Sequence, residues 1–345
     1  QIQALTQADP ERRSWMGVLA RASATEIAAR LDALPPAPAH RRLRGPETGS
    51  ALVRGRAGGT GYRFNLGEMT ITRCAVRLAD GTDVGARHIL IATGGQPWLP
   101  MDLDGVEHLL TSNDIFLLDQ LPGSILIAGG GYIAVEFAFL LKGLGVDVTL
   151  LYRGETVLNG FDDDVRIKVH DELKRHGIRV ITQAVFSRIE KTGTGFRSRL
   201  TNGLTVDTDL VMGAMGRRAY TGGLGLEEAG VALDANGAVV VDAFSKTSVD
   251  GIWAVGDVTD RINLTPVAIR EGAAFAATVF AGTPMSFDHK DVASAVFSQP
   301  PVGSVGLTEA QARATFGAVD IYKTTFRPMR YVLPNDETRM LMKLV

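Results

Sequence analysis

The stretch ILIAGGGYIAVEFAFLL, Ile125 to Leu141, decides how the rest of the chain is read. A short apolar run meets three glycines and then a segment that is apolar nearly all round. That is the pattern of a strand, a tight turn and a buried helix. Within it, Gly129-x-Gly131-x-x-Ala134 has the spacing that holds a dinucleotide pyrophosphate. The first glycine permits the turn, the second lets backbone approach the phosphates, and a small third residue keeps helix and strand close. Free N–H groups and the positive end of the helix dipole then face the anion. The plainer alternative is a glycine-rich turn with no ligand.

An NAD site places a carboxylate about 20 residues further on, where it binds a ribose hydroxyl. Here the second strand, VDVTLLY, is followed by Arg153. A carboxylate would repel a ribose 2′-phosphate, whereas a guanidinium offers forked donors that match its oxygens. Arg153 therefore points to NADP, with a solvated arginine at a strand end as the alternative. Glu155 adds a negative charge nearby, and Asn159 supplies no second cation.

Downstream, FDDDVRIKVHDELKRHG reads as a surface helix with three aspartates in its first turn, where the dipole favours them. Val165, Val169 and Leu173 form its apolar stripe, Gly177 closes it, and His170 and His176 are expected in solvent. IRVIT is a third strand. Sequential strands with helical crossovers make a parallel sheet. The period then switches to two: FRSRLTNGLTVDTDLVMGAMG, with its Asn202-Gly203 turn, reads as an antiparallel meander lying on that sheet. AVVVDAF and DGIWAVGD read as further strands. The second ends in Gly256-Asp257, a carboxylate able to accept from sugar-like hydroxyls or, equally, to close a strand by an Asx turn. Thr265 to Ala281 reads as a helix with Thr265 as N-cap and Pro266 at its first position. Thr308 caps EAQARATF.

Upstream, Asp80-Gly81 marks a hairpin, and the run His88 to Ala92 is a strand ending in Thr93-Gly94-Gly95. Residues 1–75 stay unassigned. Ala24 to Leu34 suits a short helix stopped by Pro35 and Pro36. Gly59-x-Gly61 imitates the fingerprint, but no apolar strand precedes it and no apolar helix follows.

The balance of 36 Lys+Arg against 38 Asp+Glu leaves a net charge of -2 and gives no basic stripe for nucleic acid. No apolar run is long enough for a membrane helix, so no membrane partner is expected. One cysteine, Cys74, excludes an internal disulfide framework and a cysteine-rich zinc site, and fits a reducing cytoplasm. No metal site is expected. The chain begins at Gln1 and stops in MLMKLV, an alternating run that reads as a strand about to pair. The expectation is a fragment.

Seven segments, HILIATGGQPWLP, GGGYIAVEFA, TLLYRGE, FDDDVR, GIWAVGDVTDRINLTPVA, AVFSQPPVGSVGLTEAQA and FRPMRYVL with MLMKLV, occur in an order and spacing that resemble the class I FAD-dependent pyridine-nucleotide disulfide oxidoreductases, and among them the glutathione reductases. The resemblance covers roughly residues 76–345. It implies an α/β fold with Rossmann-like FAD- and NAD(P)-binding domains. Residues 76–123 and 246–284 would form a partial FAD domain, 124–245 an inserted NADPH domain, and 285–345 a truncated α+β dimerisation domain.

The resemblance also implies roles. Thr93 and Gly94 would lie by the adenosine half of FAD, Gly256 and Asp257 by its ribitol and pyrophosphate, and Thr265 by the flavin ring. Gly129, Gly131 and Ala134 would hold the NADPH pyrophosphate, with Arg153 on its 2′-phosphate. Tyr132 would cover the flavin, and Gly216 and Arg217 would lie near the nicotinamide cofactor. In the family the glutamate at the position of Glu136 pairs with a lysine beside the redox cysteines, and that partner is missing from this sequence. In the family, hydride passes from NADPH to flavin, then electrons reach a Cys-x4-Cys disulfide and finally glutathione disulfide, in a homodimer whose His-Pro histidine comes from the partner subunit. This sequence has one cysteine and no His-Pro, so no catalytic residue is assigned, and Asn159 stands where the family usually has a second arginine. The implied alternatives are a nucleotide-binding module without disulfide chemistry and a relative that uses NADH.

Overall fold

In the structure, a computed structural model, residues 70, 71, 75–78 and 81–345 are described. The helix expected at Ala24 to Leu34, the Gly59-x-Gly61 loop and Cys74 lie outside the described residues. Strands β1 (Thr70–Ile71), β2 (Ala75–Arg77) and β3 (Asp83–Gly85) pair antiparallel in that order. The expected hairpin joins β2 to β3, with Gly81 at φ 85°. Next come β4 (Ile89–Ile91), β5 (Gly95–Pro97) and α1 (Ser112–Ile115).

The strand, turn and helix of the opening stretch are β6 (Ser124–Ala128) and α2 (Tyr132–Gly143), followed by β7 (Asp147–Leu151), α3 (Asp163–Arg175) and β8 (Arg179–Ile181). Strands β9 (Phe186–Lys191), β10 (Phe196–Leu200) and β11 (Thr205–Thr208) form the meander, and Gly203 takes the left-handed turn position at φ 85°. Side-chain alternation along β6 explains the layering. Ile125 and Ile127 pack with Ala134, Val135, Ala138 and Leu141 of α2 and with Val169 and Leu173 of α3. Leu126 and Ala128 face the other way, against Phe186, Ile189, Leu200 and Val206 of the meander. Each such buried aliphatic side chain contributes about 1.5–3 kcal/mol.

Several expectations need correction. LVMG does not continue the meander: it is β12 (Leu210–Gly213), which runs parallel to β6 and gives the sheet order β12-β6-β7-β8. A reciprocal hook starts that pairing, with Ser124 N–H donating to Asp209 Oδ2 (2.8 Å) and Asp209 N–H to Ser124 Oγ (3.0 Å). A strand covered on both faces needs the continuous apolar run seen here. AVVVDAF is not a strand. Val239 makes one bridge to Leu233, and Asp242 Oδ1 then accepts from Phe244 and Lys246 N–H, an Asx turn that diverts the chain. His170 is buried, at 9% exposure, with Nδ1 lacking a partner, and burial lowers its pKa. His176 is partly buried, its ring edge-on to Phe139.

Beyond the meander lie β13 (Arg217–Ala219), antiparallel to β5, then α4 (Leu226–Ala229) and β14 (Ile252–Ala254), parallel to β4. Around the β4–β14 pair, Ile89, Ile91, Leu226, Val231, Ile252 and Val258 make a second core. Helix α5 (Thr265–Phe280) has Leu264 as N-cap. Thr265 is its first helical residue and Pro266 its second, so the helix begins one residue earlier than expected. The C-terminal segment holds β15 (Ser294–Val296), β16 (Val302–Ser304), α6 (Glu309–Phe316), β17 (Tyr322–Phe326), α7 (Met329–Val332) and β18 (Met340–Leu344). Thr308 and Gln311 close the expected cap of α6 reciprocally. The terminal run has its partner earlier in the chain: β18 pairs antiparallel with β17.

Candidate dinucleotide-binding site

The β6–α2 turn has the geometry that a pyrophosphate requires. Gly129 sits at φ 148°, and a Cβ there would lie 2.1 Å from the carbonyl oxygen of Ala214 and 3.1 Å from Ala134 Cβ. Only glycine fits, and only a small residue fits opposite. A Cβ on Gly131 would meet nothing within 4 Å, so its backbone faces open space. No side chain caps α2. Its first-turn N–H groups and dipole are thus available to an anion.

Arg153 lies just past the end of β7. It is exposed, and its guanidinium makes no hydrogen bond or ion pair with any described residue. Glu155 and Asn159 are exposed on the same loop. The loop itself is tethered: Leu158 N–H donates to Gly130 O (2.6 Å), and Val157 and Leu158 are fully buried.

A second constellation forms where β4, β5, β13 and β14 meet. Thr93 Oγ1 donates to Tyr220 O (2.7 Å), and Tyr220 N–H to Gly94 O (2.9 Å). Gly94, at φ 74°, is open to an added Cβ, whereas one on Gly95 would come 3.4 Å from Asp257 Cβ. Gly256, also at φ 74°, lies against Ala268 of α5, which brings the uncapped start of that helix and exposed Thr265 beside Asp257. Gly216 O accepts from Trp98 N–H, and the Arg217 guanidinium donates to Gly95 O.

Tyr132, the first residue of α2, feels charges from the second constellation. Burial raises the pKa of its phenol, and the negative charges of Asp257 and Glu136 act the same way, opposed by Arg217. The first residue of the nucleotide-type helix therefore stands within electrostatic reach of both Asp257 and Arg217. Glu136 Oε1 accepts from the backbone N–H of Phe297, just past β15.

Glu271 was not legible as a site residue, though a lone acid inside the apolar helix TPVAIREGAAFAATVF is a signal. It is 2% exposed. Its carboxylate accepts from Gly256 N–H (2.6 Å), Arg261 (2.8 Å) and His289 Nε2 (2.6 Å). The Gly256-Asp257 turn is held by that carboxylate. Among the described residues no cluster of His, Cys, Asp or Glu is arranged for a metal, and no helix is long and apolar enough to cross a membrane.

A family profile described as pyridine nucleotide-disulphide oxidoreductase matches residues 18–272, and one described as the dimerisation domain of those enzymes matches 292–345. The chain belongs to the pyridine nucleotide-disulphide oxidoreductase family. Both glycine-bearing turns fall inside the first match, which also reaches into residues 18–75. The dimerisation-domain match takes in β15 to β18. The chain is 50% identical over 265 residues to a glutathione reductase of Burkholderia cepacia, covering 77% of this chain and 59% of that protein. It is 45% identical to one from Nostoc sp., covering 75% and 60%. The HOCl-induced flavoprotein disulfide reductase RclA from Escherichia coli superposes with a TM-score of 0.73 at 30% identity, covering 80% of this chain and 64% of that one. The chain thus spans about three-fifths of the length of the curated relatives it matches.

Proposed function

We propose that this chain is the nucleotide- and flavin-contacting part of a glutathione reductase-like enzyme, and that on its own it binds NADPH without reducing a disulfide. The observation that carries the reading is the β6–α2 turn, where only glycine fits at 129, Gly131 faces open space and no side chain caps α2, with exposed Arg153 just past β7. In this reading residues 124–245 take NADPH, 76–123 with 246–284 contribute to the FAD site, and 285–345 belong to the surface of a homodimer. Bound together, NADPH and FAD would supply a hydride relay toward glutathione disulfide.

The residues would act as follows. Gly129, Gly131 and Ala134 shape the phosphate cradle at the start of α2, and Arg153 takes the 2′-phosphate. Thr93 fixes Gly94 through Tyr220. Asp257 offers a carboxylate to sugar-like hydroxyls beside the start of α5, where the dipole at Thr265 favours negative charge. The Tyr132 phenol is neutral near pH 7, as phenols ordinarily are, so it can cover an apolar ring and swing away without moving a charge. Arg217 and Glu136 set the field around it.

Two measurements test the reading. Calorimetric titration is expected to give tighter binding of NADPH than of NADH. Arg153→Ala is expected to weaken NADPH about 10- to 100-fold, the loss of one or two charge-assisted hydrogen bonds, and to leave NADH nearly unchanged. Equal affinities in the unaltered chain would favour the NADH-using reading, which exposed Glu155 and Asn159 motivate. The pure chain, with one cysteine, is also expected to show no NADPH-driven reduction of glutathione disulfide. Any turnover above a heat-treated control would overturn that part.

A further inference from the structure

We propose that Arg166, on α3, is a positioning residue for pyridine-nucleotide selectivity, acting through the loop that carries Arg153. The inference rests on the reading of Arg153 as the 2′-phosphate contact. Its basis is a geometry that a helix alone does not explain. Arg166 stands in the first turn of α3, beside the positive end of the macrodipole, where a cation is disfavoured. Its guanidinium is mostly buried, at 22% exposure, and every branch is engaged. Nε donates to Val157 O (3.1 Å), one terminal nitrogen to Thr156 O (3.0 Å), and the other to Asp163 Oδ1 (2.7 Å).

Those two carbonyls belong to irregular backbone, and Val157 is completely buried. Without Arg166 they would lack a protein partner in the dry side of the loop. The rest of the loop is pinned to the glycine turn itself. Tyr152 N–H donates to Ile181 O, and its ring fills the space that a Cβ on Gly130 or Gly154 would need, at 2.4 Å and 2.6 Å. Leu158, buried and at φ 57°, donates to Gly130 O. A left-handed leucine persists only where its surroundings over-determine it.

Among the described residues Arg153 therefore has no side-chain partner, and it sits on a clamped backbone. Tyr152 fixes the loop before it, and Arg166 with Leu158 fixes the loop after it, both against the turn that would hold the pyrophosphate. Selectivity by a single guanidinium needs a fixed distance between that turn and the 2′-phosphate contact. A long, unpaired arginine does not set this distance by itself, and the clamp does.

The test measures NADPH and NADH affinities by calorimetry for the unaltered chain, Arg166→Ala, Arg166→Lys, Arg153→Ala and the double variant Arg153→Ala/Arg166→Ala. Arg166→Ala is expected to lower the NADPH-to-NADH affinity ratio about tenfold, the size of one charge-assisted contact, with NADH binding unchanged within about twofold. Arg166→Lys keeps the charge but cannot bridge two carbonyls, and is expected to fall between. In the double variant the ratio should equal that of Arg153→Ala alone, because a residue acting through Arg153 has nothing left to position. Equal weakening of both nucleotides by Arg166→Ala, or additive effects in the double variant, would overturn the inference while leaving the Arg153 reading intact. A ratio unmoved by Arg153→Ala would overturn both. If Arg166→Ala does not fold, Arg166→Lys decides: an unchanged ratio in that variant counts against positioning.

Discussion

Glu271→Leu is expected to lower the unfolding free energy by about 3–5 kcal/mol, the cost of removing one partner from a buried ionic group. The carboxylate is 2% exposed and serves three donors, Gly256 N–H, Arg261 and His289. Leucine fills similar volume but leaves a buried amide without an acceptor and the Arg261 guanidinium without its counter-charge. Arg261 keeps its bonds to Thr259 and Ser245, so the loss falls chiefly on the Gly256-Asp257 turn. The check is urea denaturation followed by tryptophan fluorescence, because Trp253 lies on β14 with its ring against Phe275 of α5. A midpoint within about 1 kcal/mol of the unaltered chain would show that Glu271 is dispensable. Replacing the whole group at once, as Glu271→Leu with Arg261→Met and His289→Leu, should recover only the part of the loss owed to the unpaired guanidinium, because Gly256 N–H still lacks its acceptor. An apolar side chain at 261 avoids burying a guanidinium without its counter-charge.

Gly129, Gly131, Ala134 and the α2 boundary were legible because their determinants are local: turn conformation, close approach and apolar periodicity all lie within ten or so residues. The hairpin at Asn202-Gly203 and the cap at Thr308 were legible for the same reason. Arg153 was legible as a charge at a meaningful distance from the fingerprint. The clamp behind it was not, because Arg166 contacts carbonyl oxygens, and every residue between 154 and 160 offers one of those.

β12 escaped because LVMG suits either an antiparallel or a fully covered parallel strand, and the deciding hook joins Asp209 to Ser124 across the domain. His170 looked solvated because its neighbours in sequence are charged, yet it stands next to Val169 on the face of α3 that turns inward. AVVVDAF has strand composition, but the Asx turn at Asp242 overrides it. The site residues implied by the resemblance mostly converge in space. The contact of Glu136 Oε1 with the Phe297 N–H joins residues 161 positions apart, so no local pattern announces it.

The C-terminal segment is also fastened to α3, in large part by a lysine whose side chain is buried, and this gives the second large effect. Lys343 of β18 is 7% exposed. Its ammonium reaches Asp162 (2.8 Å), Asp164 (2.7 Å) and Glu309 (2.7 Å). Asp162 is doubly committed, accepting from Asp164 N–H at the start of α3 and from Glu309 N–H at the start of α6. Burial pulls the Lys343 pKa down, but hydrogen bonds to three carboxylates outweigh it and the net shift is upward. Asp162 is pushed up by burial and held below its usual range by Lys343 and the two backbone donors. Asp164 is lowered by Lys323 and then Lys343, and Glu309 by Lys343 and then Arg313.

The signs then fix the pH dependence. A raised lysine stabilises fully below its unfolded pKa of about 10.4 and is lost only above its folded value, so it contributes no change near neutrality. Depressed carboxylates stabilise above their unfolded values of about 3.9 to 4.3, and that stability is lost as pH falls through the folded values. Lys343→Met is expected to cost about 3 kcal/mol or more at pH 7, since three carboxylates are left facing one another around an uncharged stem. It should also invert the acid response. The unaltered chain loses stability on going from pH 6 to pH 3, whereas the variant gains relative to it as protonation relieves the repulsion. Denaturation midpoints at pH 7, 5 and 3, with amide exchange followed in α6 and β18, measure this directly. Parallel pH profiles for the two proteins would show that Lys343 does not hold the C-terminal segment to α3.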